Sequence, residues 1–366
     1  ELGGGTFYFR PQNNVVLEAG SRYKYTVKVN ATGLTLEGCT IGSWADGGGE
    51  SGAAEDLGYI YDSNTKTYTV YNADGLMNIA ELVNGGKTDI NITLTADIDL
   101  TGKNWTPIGT DYDNSYKGTF DGGGHTITGL TFTTNDEFAG LFGWLNRAGT
   151  VKNVVMEGVQ ITSNQIYGGS IGGVVGYGWG TIENCSVSGS VSGTVYVGGV
   201  VGAQIGGSIT GCSSSATVKG TVDVGGVAGQ TNSSATLTAC YATGNVIIEI
   251  NPKKNIAGGS LVGMNAGSSL LACYATGNVT STGSSTGYVH IGGFLGNNYT
   301  TVTACYWKNN HEQGIGYNRE STGATKVDGS VVTWQKAVDA MNTALQDKGL
   351  EWRYELTGAL PTLKKQ

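Results

Sequence analysis

The sequence predicts an all-β protein that folds as a right-handed parallel β-helix, in which successive turns of the chain stack on one another. The first observation is a glycine-flanked segment, Gly172-Gly-Val-Val-Gly176, whose variants recur with closing glycines 26 to 34 residues apart. The second is an apolar residue that stands three places before a cysteine in most periods. Self-similarity at a period of roughly 20 to 50 residues is typical of solenoids, which stack one unit per repeat.

Each period contains three short runs of β-type sequence separated by Gly, Ser, Thr and Asn turns. In the second unit the runs are 171–176, 181–187 and 190–197. Runs this short cannot bury a face alone, so stacking at about 4.8 Å per coil must create the core. We expect about six coils, with the recurring glycines at tight corners that require positive φ.

Two segments have the spacing of short helices. The segment 74–84 has Asp74 as a candidate N-cap, apolar residues at helical spacing and Gly85 after its end. The segment 333–347 places apolar residues at i, i+4, i+7 and i+11 before Gly349. Because a stack of parallel strands has two open ends that invite edge pairing, we expect each helix to cap one end.

The pattern changes before residue 59. Residues 23–30 alternate in polarity and are followed by a turn and a second β-type run at 34–41, which is typical of a β-hairpin. Residues 46–58 are rich in Gly, Ala and acidic side chains, which favours a linker. The sequence therefore predicts a β remnant at 1–45, a linker at 46–58 and a β-helix domain at 59–366.

The overall composition excludes several classes of protein. The chain has 366 residues and a net charge of −8, whereas nucleic acids and anionic membranes are bound by basic surfaces. It has 62 Gly but only 4 Pro, which is not the composition of collagen or of a Pro-rich disordered chain. No stretch of about 18 apolar residues is present, so the sequence predicts no membrane span.

The cysteines follow the repeat period. The last five of the six cysteines are 27 to 33 residues apart, and none forms a CxxC pair. This spacing argues against a zinc ribbon and against a disulfide framework. Because a buried cysteine packs like a small apolar residue, we predict an inward column of free thiols. Its members are Cys185, Cys212, Cys240, Cys273 and Cys305.

Tyrosines follow three of these cysteines directly. Side chains alternate along a strand, so the residue after each inward cysteine should face outward. In the last three coils this residue is Tyr241, Tyr274 or Tyr306, whereas Ser186 and Ser213 take the place in earlier coils. The pattern predicts an outer aromatic strip, with these three tyrosines as candidate ligand-binding residues. The alternative, in which stacked tyrosines only stiffen the sheet, stays open.

The repeats resemble the GLUG motif. The resemblance rests on the run from Gly118 to Leu130, on Ala139-Gly-Leu-Phe-Gly143, and on Cys240-Tyr-Ala-Thr-Gly-Asn-Val246 with its copy at 273–279. It covers roughly residues 59 to 366. The shorter stretch 1–45, which ends in Gly33-Leu-Thr-Leu-Glu-Gly-Cys-Thr-Ile-Gly-Ser-Trp44, resembles the last strands of a fimbrillin-like domain.

The resemblance implies an exported protein on the outer-membrane surface, or outside the cell, of a Gram-negative bacterium. Such proteins are often lipoproteins and are commonly described as adhesins. GLUG repeats also occur as non-catalytic parts of immunoglobulin A1 proteases. The partner implied is a host or bacterial surface glycan or protein.

Catalytic and metal-binding patterns are incomplete. His311-Glu312 begins the zinc-protease motif His-Glu-x-x-His, but Ile315 stands where the second His is needed. Acidic residues within the coils occupy different places in the period, so no carboxylate pair of a glycosidase is predicted. Asp111 begins a calcium-like loop that has no Glu at the twelfth position. We expect no catalytic residue, no bound metal and no cofactor.

The sequence therefore predicts a non-catalytic surface binding or adhesion module. The alternative is an accessory repeat region of a larger surface enzyme, such as an immunoglobulin A1 protease or a glycan-degrading enzyme. The adhesion hypothesis depends partly on family resemblance, which indicates a fold more firmly than a function.

Overall fold

The chain winds into a β-solenoid. The computed structural model describes residues 21–30, 33–43, 46–53, 56–320 and 323–366. From residue 59 onward these residues form about seven turns of parallel strand, accompanied by two helices. The parallel β-helix predicted from the repeats is confirmed, with about one turn more than the sequence suggested.

Three stacked sheets form the walls of the solenoid. Sheet 1 contains fifteen strands, at Tyr59–Asp62, Thr67–Val70, Asn91–Leu94, Thr119–Asp121, Phe142–Leu145, Thr150–Lys152, Val175–Gly178, Thr181–Glu183, Val201–Thr210, Ala228–Thr238, Val262–Ala266, Ser269–Leu271, Leu295–Asn298, Val302–Thr303 and Ile315–Asn318. Sheet 2 contains thirteen, at Ile98–Asp99, Thr126–Thr128, Thr131–Thr134, Val155–Ser163, Ser186–Ser192, Ser213–Ser214, Thr217–Gly220, Tyr241–Ala242, Val246–Glu249, Tyr274–Ala275, Val279–Thr282, Tyr306–Trp307 and Thr325–Lys326. Sheet 3 contains six, at Phe138–Ala139, Ser170–Gly172, Tyr196–Gly198, Asp223–Gly225, Ile256–Gly259 and Val289–Gly292.

The core is built from columns of equivalent residues. The apolar position before each cysteine stacks in parallel register, from Ile182 on Ile209 through Leu237 and Leu270 to Val302. All five side chains are buried. Since each inward residue meets its copy one coil away, the hydrophobic surface is continuous although each strand is short.

The residues with positive φ occupy a different position in the repeat from the one expected. The glycines that close the repeated segment, such as Gly176 and Gly202, are absent from the positive-φ residues. Glycine is needed at these positions because neighbouring backbones approach closely. A Cβ on Gly202 would stand 2.3 Å from the Ile171 nitrogen. The left-handed corner is instead the residue before the inward cysteine, for example Asn184 at φ 51° and Gly211 at φ 65°.

A buried ladder of polar side chains runs along another corner. The amide of Asn265 donates to Oδ1 of Asn298 at 2.8 Å, and the Asn298 amide donates to Oδ1 of Asn318 at 2.8 Å. Oδ1 of Asn265 also accepts from the Thr231 hydroxyl at 3.1 Å and from the Ser268 N–H at 2.8 Å. Each buried amide therefore hydrogen-bonds to the backbone of its own turn and links that turn to the next coil.

The first helix caps the N-terminal end of the core. Helix α1 spans Ala73–Asn84 and buries Leu76, Ile79 and Val83. Its N-cap is Asn72 rather than the expected Asp74, because the Asn72 side chain accepts from the Gly75 N–H at 2.8 Å.

The second helix lies along the flank of the solenoid and not over its end. Helix α2 spans Trp334–Asp347, and a hairpin of Trp352–Glu355 and Thr362–Lys365 follows it. This C-terminal cover (residues 334–365) packs on Ala239, Ala272 and Tyr274 of successive coils. The expectation that 333–347 caps an open end is therefore corrected. The apolar face of α2 packs instead on a stripe of small and aromatic residues on the side of the stack.

An antiparallel sheet precedes the solenoid. Ser21–Asn30 pairs with Gly33–Ser43, as the hairpin pattern predicted. Asp46–Ala53, expected to belong to a linker, instead forms a third strand on Gly33–Ser43. A Gly-rich strand needs only its backbone hydrogen bonds to join a sheet, so its composition gave no sign of it. The part of the fimbrillin-like prediction at residues 1–20 lies outside the described residues.

Candidate functional site

The five cysteines of the repeat form a column inside the solenoid. Cys185, Cys212, Cys240, Cys273 and Cys305 are free and buried. The N–H of Cys240 donates to Sγ of Cys273 at 3.4 Å, and that of Cys273 donates to Sγ of Cys305 at 3.4 Å. Each sulfur also lies 3.2–3.4 Å from the carbonyl oxygen two residues earlier. The column thus fills the space inside the left-handed corner, and its sulfurs hydrogen-bond to the backbone N–H and C=O groups there.

Burial also makes these thiols poor nucleophiles. It raises the pKa of Cys185, Cys240 and Cys305 well above the ordinary value. In the described residues, the groups that hydrogen-bond to the five cysteine sulfurs are backbone N–H and C=O groups. Since the thiolate is the reactive form of cysteine, the column has a packing role.

The residues after the cysteines form one continuous outer column on sheet 2. Parallel register connects Val155, Ser186, Ser213, Tyr241, Tyr274 and Tyr306 in that order. The rings of Tyr241 and Tyr274 stack with centroids 4.9 Å apart and planes 2° apart. The tyrosines therefore form the predicted ladder, but most of it is covered.

The prediction that Tyr274 is an exposed ligand-binding residue is corrected. Its side chain is 1 % exposed because the C-terminal cover lies on it. Trp334 and Tyr354 contact its ring at centroid distances of 5.3 and 5.8 Å, and its hydroxyl donates to the Pro361 carbonyl at 2.6 Å. Tyr306 is half-buried against the same cluster. The prediction depended on strand alternation alone, and alternation does not show that another part of the chain packs on the outward face.

Tyr241 is the tyrosine that reaches an open groove. Two adjoining cavities of about 190 and 280 Å³ share Val155, Ser186, Ser213 and Tyr241 as lining residues. We call them together the serine groove. Its floor is low because serines occupy the places that tyrosines fill in later coils. The stacked ring of Tyr241 forms the end wall.

The side walls of the serine groove come from two sources. One wall contains Asn153 and Asn184 at the left-handed corner together with Trp352 and Leu363 of the C-terminal cover. The other contains polar side chains of sheet 2, namely Glu157, Ser188, Ser215 and Thr243. The groove therefore combines two aromatic rings with hydroxyl, amide and carboxylate groups, a set suited to hydrogen-bonding a polar ligand while stacking on its apolar faces.

The asparagines of the first wall are held in fixed positions. The Asn184 amide donates to Oδ1 of Asn153 at 2.8 Å, and the Asn153 amide donates to Asp121 at 2.9 Å. Lys365 of the cover is paired with Glu183 at 2.7 Å, next to this ladder. Sequence analysis missed both the asparagine wall and Trp352. The recurring residue before each cysteine could have indicated the first, but nothing local indicates that Trp352 docks here.

Two histidines, His311 and His125, have partners of their own. His311 Nε2 lies 3.0 Å from the Val279 carbonyl oxygen, and Glu312 is paired with Lys326. His125 is close to one carboxylate, that of Asp97 at 3.3 Å. Among the described residues, no three His, Cys, Asp or Glu side chains are grouped to hold a metal ion.

A potential calcium loop is satisfied internally. The carboxylate of Asp111 accepts from the N–H groups of Asp113 and Asn114 at 3.0 and 2.9 Å. These bonds lower the pKa of Asp111, the N–H of Asn114 being the largest cause. They form an Asx-type turn in an exposed loop, which is a structural role.

A family model described as the GLUG motif matches residues 167–192 and 193–219. The two stretches are successive coils, and each contains one Gly-Gly-Val-Val-Gly segment. The chain therefore carries GLUG repeats, as the resemblance implied. In the described residues, no helix has both the length and the apolar character needed to cross a membrane.

Two similar sequences come from distant organisms. Halomucin of Haloquadratum walsbyi is 32 % identical over 158 residues, which are 40 % of this chain and 2 % of that protein. A protein of Evansella cellulosilytica named "Putative Gly-rich membrane protein" is 37 % identical over 100 residues, which are 26 % of this chain and 11 % of that protein. The chain thus corresponds to a small part of the length of either relative.

One solved structure shares the fold. The crystal structure of a "putative immunoglobulin A1 protease" from Bacteroides ovatus has a TM-score of 0.61 to this chain at 20 % identity. The match covers 81 % of this chain and 92 % of that chain. At this level of identity the likeness shows a common architecture.

Proposed function

We propose that this chain is a non-catalytic binding module of an exported surface protein, and that it attaches to a surface glycan or protein through the serine groove. The observation that supports the proposal most directly is the groove itself, in which Ser186 and Ser213 leave the face of Tyr241 open. A floor of hydroxyl groups ending in an aromatic wall can bind a polar ligand without any catalytic group.

The comparisons support the surface location in the proposal. One relative is named a membrane protein, and this chain matches a short part of a much longer protein in both cases. A module of this kind is carried by a larger surface protein and holds a ligand outside the cell.

A second candidate function is an accessory module of a surface enzyme. It is supported by the likeness to the Bacteroides ovatus structure, because that solenoid covers nearly the same length. In this case the repeat region positions a substrate for catalytic residues located elsewhere in a larger protein. Both candidate functions require a binding surface on the solenoid, and neither requires the solenoid to catalyse a reaction.

The test is a binding survey of the purified chain on an array of glycans and of host and bacterial surface proteins. We expect retention of one ligand class by the wild-type protein and loss of that ligand in a Tyr241→Ser variant. Cleavage of immunoglobulin A1 or of a polysaccharide by the pure chain would contradict the non-catalytic assignment.

A further inference from the structure

A second line of side chains follows the outer wall where sheet 3 meets sheet 1. One in-register column runs through sheet 3 from Phe138 to His290. The other runs through sheet 1 from Trp144 to Tyr317. We call the strip between these columns the outer seam. None of its residues lines the serine groove.

Aromatic rings connect the two columns at the N-terminal end of the outer seam. Phe138 contacts Trp144 and Tyr177 at centroid distances of 4.8 and 5.4 Å, and Trp144 contacts Tyr177 at 4.5 Å. Tyr112, which is 70 % exposed, adds an edge contact to Trp144 at 5.7 Å. These contacts show that the columns share one surface and that the surface is reached by solvent.

A second aromatic group lies at the C-terminal end. His290 stacks on Tyr317 at 5.0 Å and on Tyr288 at 5.8 Å. Tyr288 is 71 % exposed and Tyr317 is 41 % exposed. The His290 plane lies 25° from that of Tyr288 and 20° from that of Tyr317, so both contacts are stacked.

An unpartnered carboxyl lies between the two aromatic groups. The N–H of Asp223 donates to the Val195 carbonyl at 2.8 Å, but its carboxyl has no hydrogen bond or ion pair to a described residue, and the residue is 5 % exposed. Burial alone raises the pKa of this carboxyl to about 7. A buried carboxyl that lacks a partner in the protein is a place where a ligand group can bind.

These groups restrict the chemistry of the ligand. An unpartnered carboxyl accepts a hydrogen bond when ionised and donates one when protonated, which suits a ligand rich in O–H groups, and a chain of net charge −8 disfavours an anionic ligand. Separated aromatic faces suit flat C–H surfaces, because aromatic faces are negative and C–H groups are positive. The backbone groups of these strands are already paired in the sheets, so an added peptide strand has no edge to join.

We propose that the outer seam is a binding site for a linear neutral polysaccharide, which stacks on the aromatic groups at both ends and hydrogen-bonds to the Asp223 carboxyl between them. The six steps from Trp144 to Tyr317 span roughly 29 Å at about 4.8 Å per coil. A ligand that reaches both ends must therefore be several sugar units long. This site is separate from the serine groove and does not depend on the function proposed for that groove.

The experiment measures Trp fluorescence of the purified chain during titration with cellohexaose, xylohexaose, mannohexaose and chitohexaose, each beside its disaccharide. We expect at least one hexasaccharide to bind at least tenfold more tightly than its disaccharide. Tyr177→Ala at one end and the exposed Tyr317→Ala at the other should each weaken that binding about tenfold, with circular dichroism spectra unchanged.

A Tyr241→Ser variant separates the two sites. The outer seam predicts that this variant keeps its hexasaccharide affinity. Failure of all four hexasaccharides to bind the wild-type chain would overturn the proposal. So would binding that is lost in Tyr241→Ser but kept in both Tyr177→Ala and Tyr317→Ala, a result that places the sugar in the serine groove and leaves the function proposed there intact.

Discussion

Tyr241 and Tyr274 stack with their planes 2° apart, yet the C-terminal cover buries the second ring and leaves the first at the wall of a groove. The same repeat position thus has two roles, set by what packs above it. The Tyr274 hydroxyl is part of the contact, because it donates to the Pro361 carbonyl.

Replacing Tyr274 with Phe should loosen the C-terminal cover. The change removes one buried hydrogen bond and leaves the Pro361 carbonyl without its donor, which costs about 1–2 kcal/mol. Urea unfolding and limited proteolysis after residue 326 measure the effect. The matched variant Tyr241→Phe removes a hydroxyl that is not bonded to Pro361, and it should behave like the wild type. Equal stability of all three proteins would show that this bond does not hold the cover.

Gly211 should be essential for docking of Trp352. A Cβ at Gly211 would stand 2.3 Å from Cζ2 of that ring, so Gly211→Asn should displace the cover at a cost of about 1–3 kcal/mol. Asn tolerates the left-handed backbone, which isolates the clash from backbone strain. The control is Gly158→Asn, at φ 66° with nothing within 4 Å of its Cβ position. Melting temperatures and Trp fluorescence give the comparison, and a native-like Gly211→Asn protein would contradict the packing described.

The cysteine column should resist thiol reagents in the folded protein. Burial removes the sulfurs from solvent and raises the pKa of Cys185, Cys240 and Cys305, so little thiolate is present even at pH 8. A thiol-reactive dye should label these five positions only after denaturation. Rapid labelling of any of these five cysteines in the native protein, or a disulfide between adjacent coils, would refute the packing role.

Asp223 should make stability fall as pH rises. Its folded-state pKa of about 7 lies above the ordinary 3.8, so the folded protein holds the proton more tightly and loses stability between about pH 4 and pH 7. The full shift corresponds to on the order of 4 kcal/mol. Asp223→Asn should therefore be more stable than the wild type at pH 8, with no such gain at pH 4. Urea unfolding at both pH values decides this, and parallel behaviour of the two proteins would contradict the buried charge.

The solenoid could be predicted because each coil repeats the same inward residues. Ile182 and Cys185 have copies in each of the next four coils, so one local pattern specifies most of the stack. The two helices could also be predicted, since α1 and α2 have apolar faces at helical spacing.

The position of the C-terminal cover could not be predicted from the repeats. Its docking depends on small residues at the left-handed corner, Gly211, Ala239 and Ala272, where earlier coils have asparagine. These residues are far from Trp352 in sequence, and their small size gives no local signal. The serine groove was missed for the same reason, because its wall forms only when the cover docks.

The central claim is that the open face of Tyr241 binds a surface ligand. The most direct measurement is a calorimetric titration of the ligand class selected on the array into the wild type and Tyr241→Ser. We predict that Tyr241→Ser lowers affinity at least tenfold with little change in melting temperature, since a half-buried ring at the groove wall contributes little to the core. Undiminished binding by Tyr241→Ser would contradict the assignment of the serine groove.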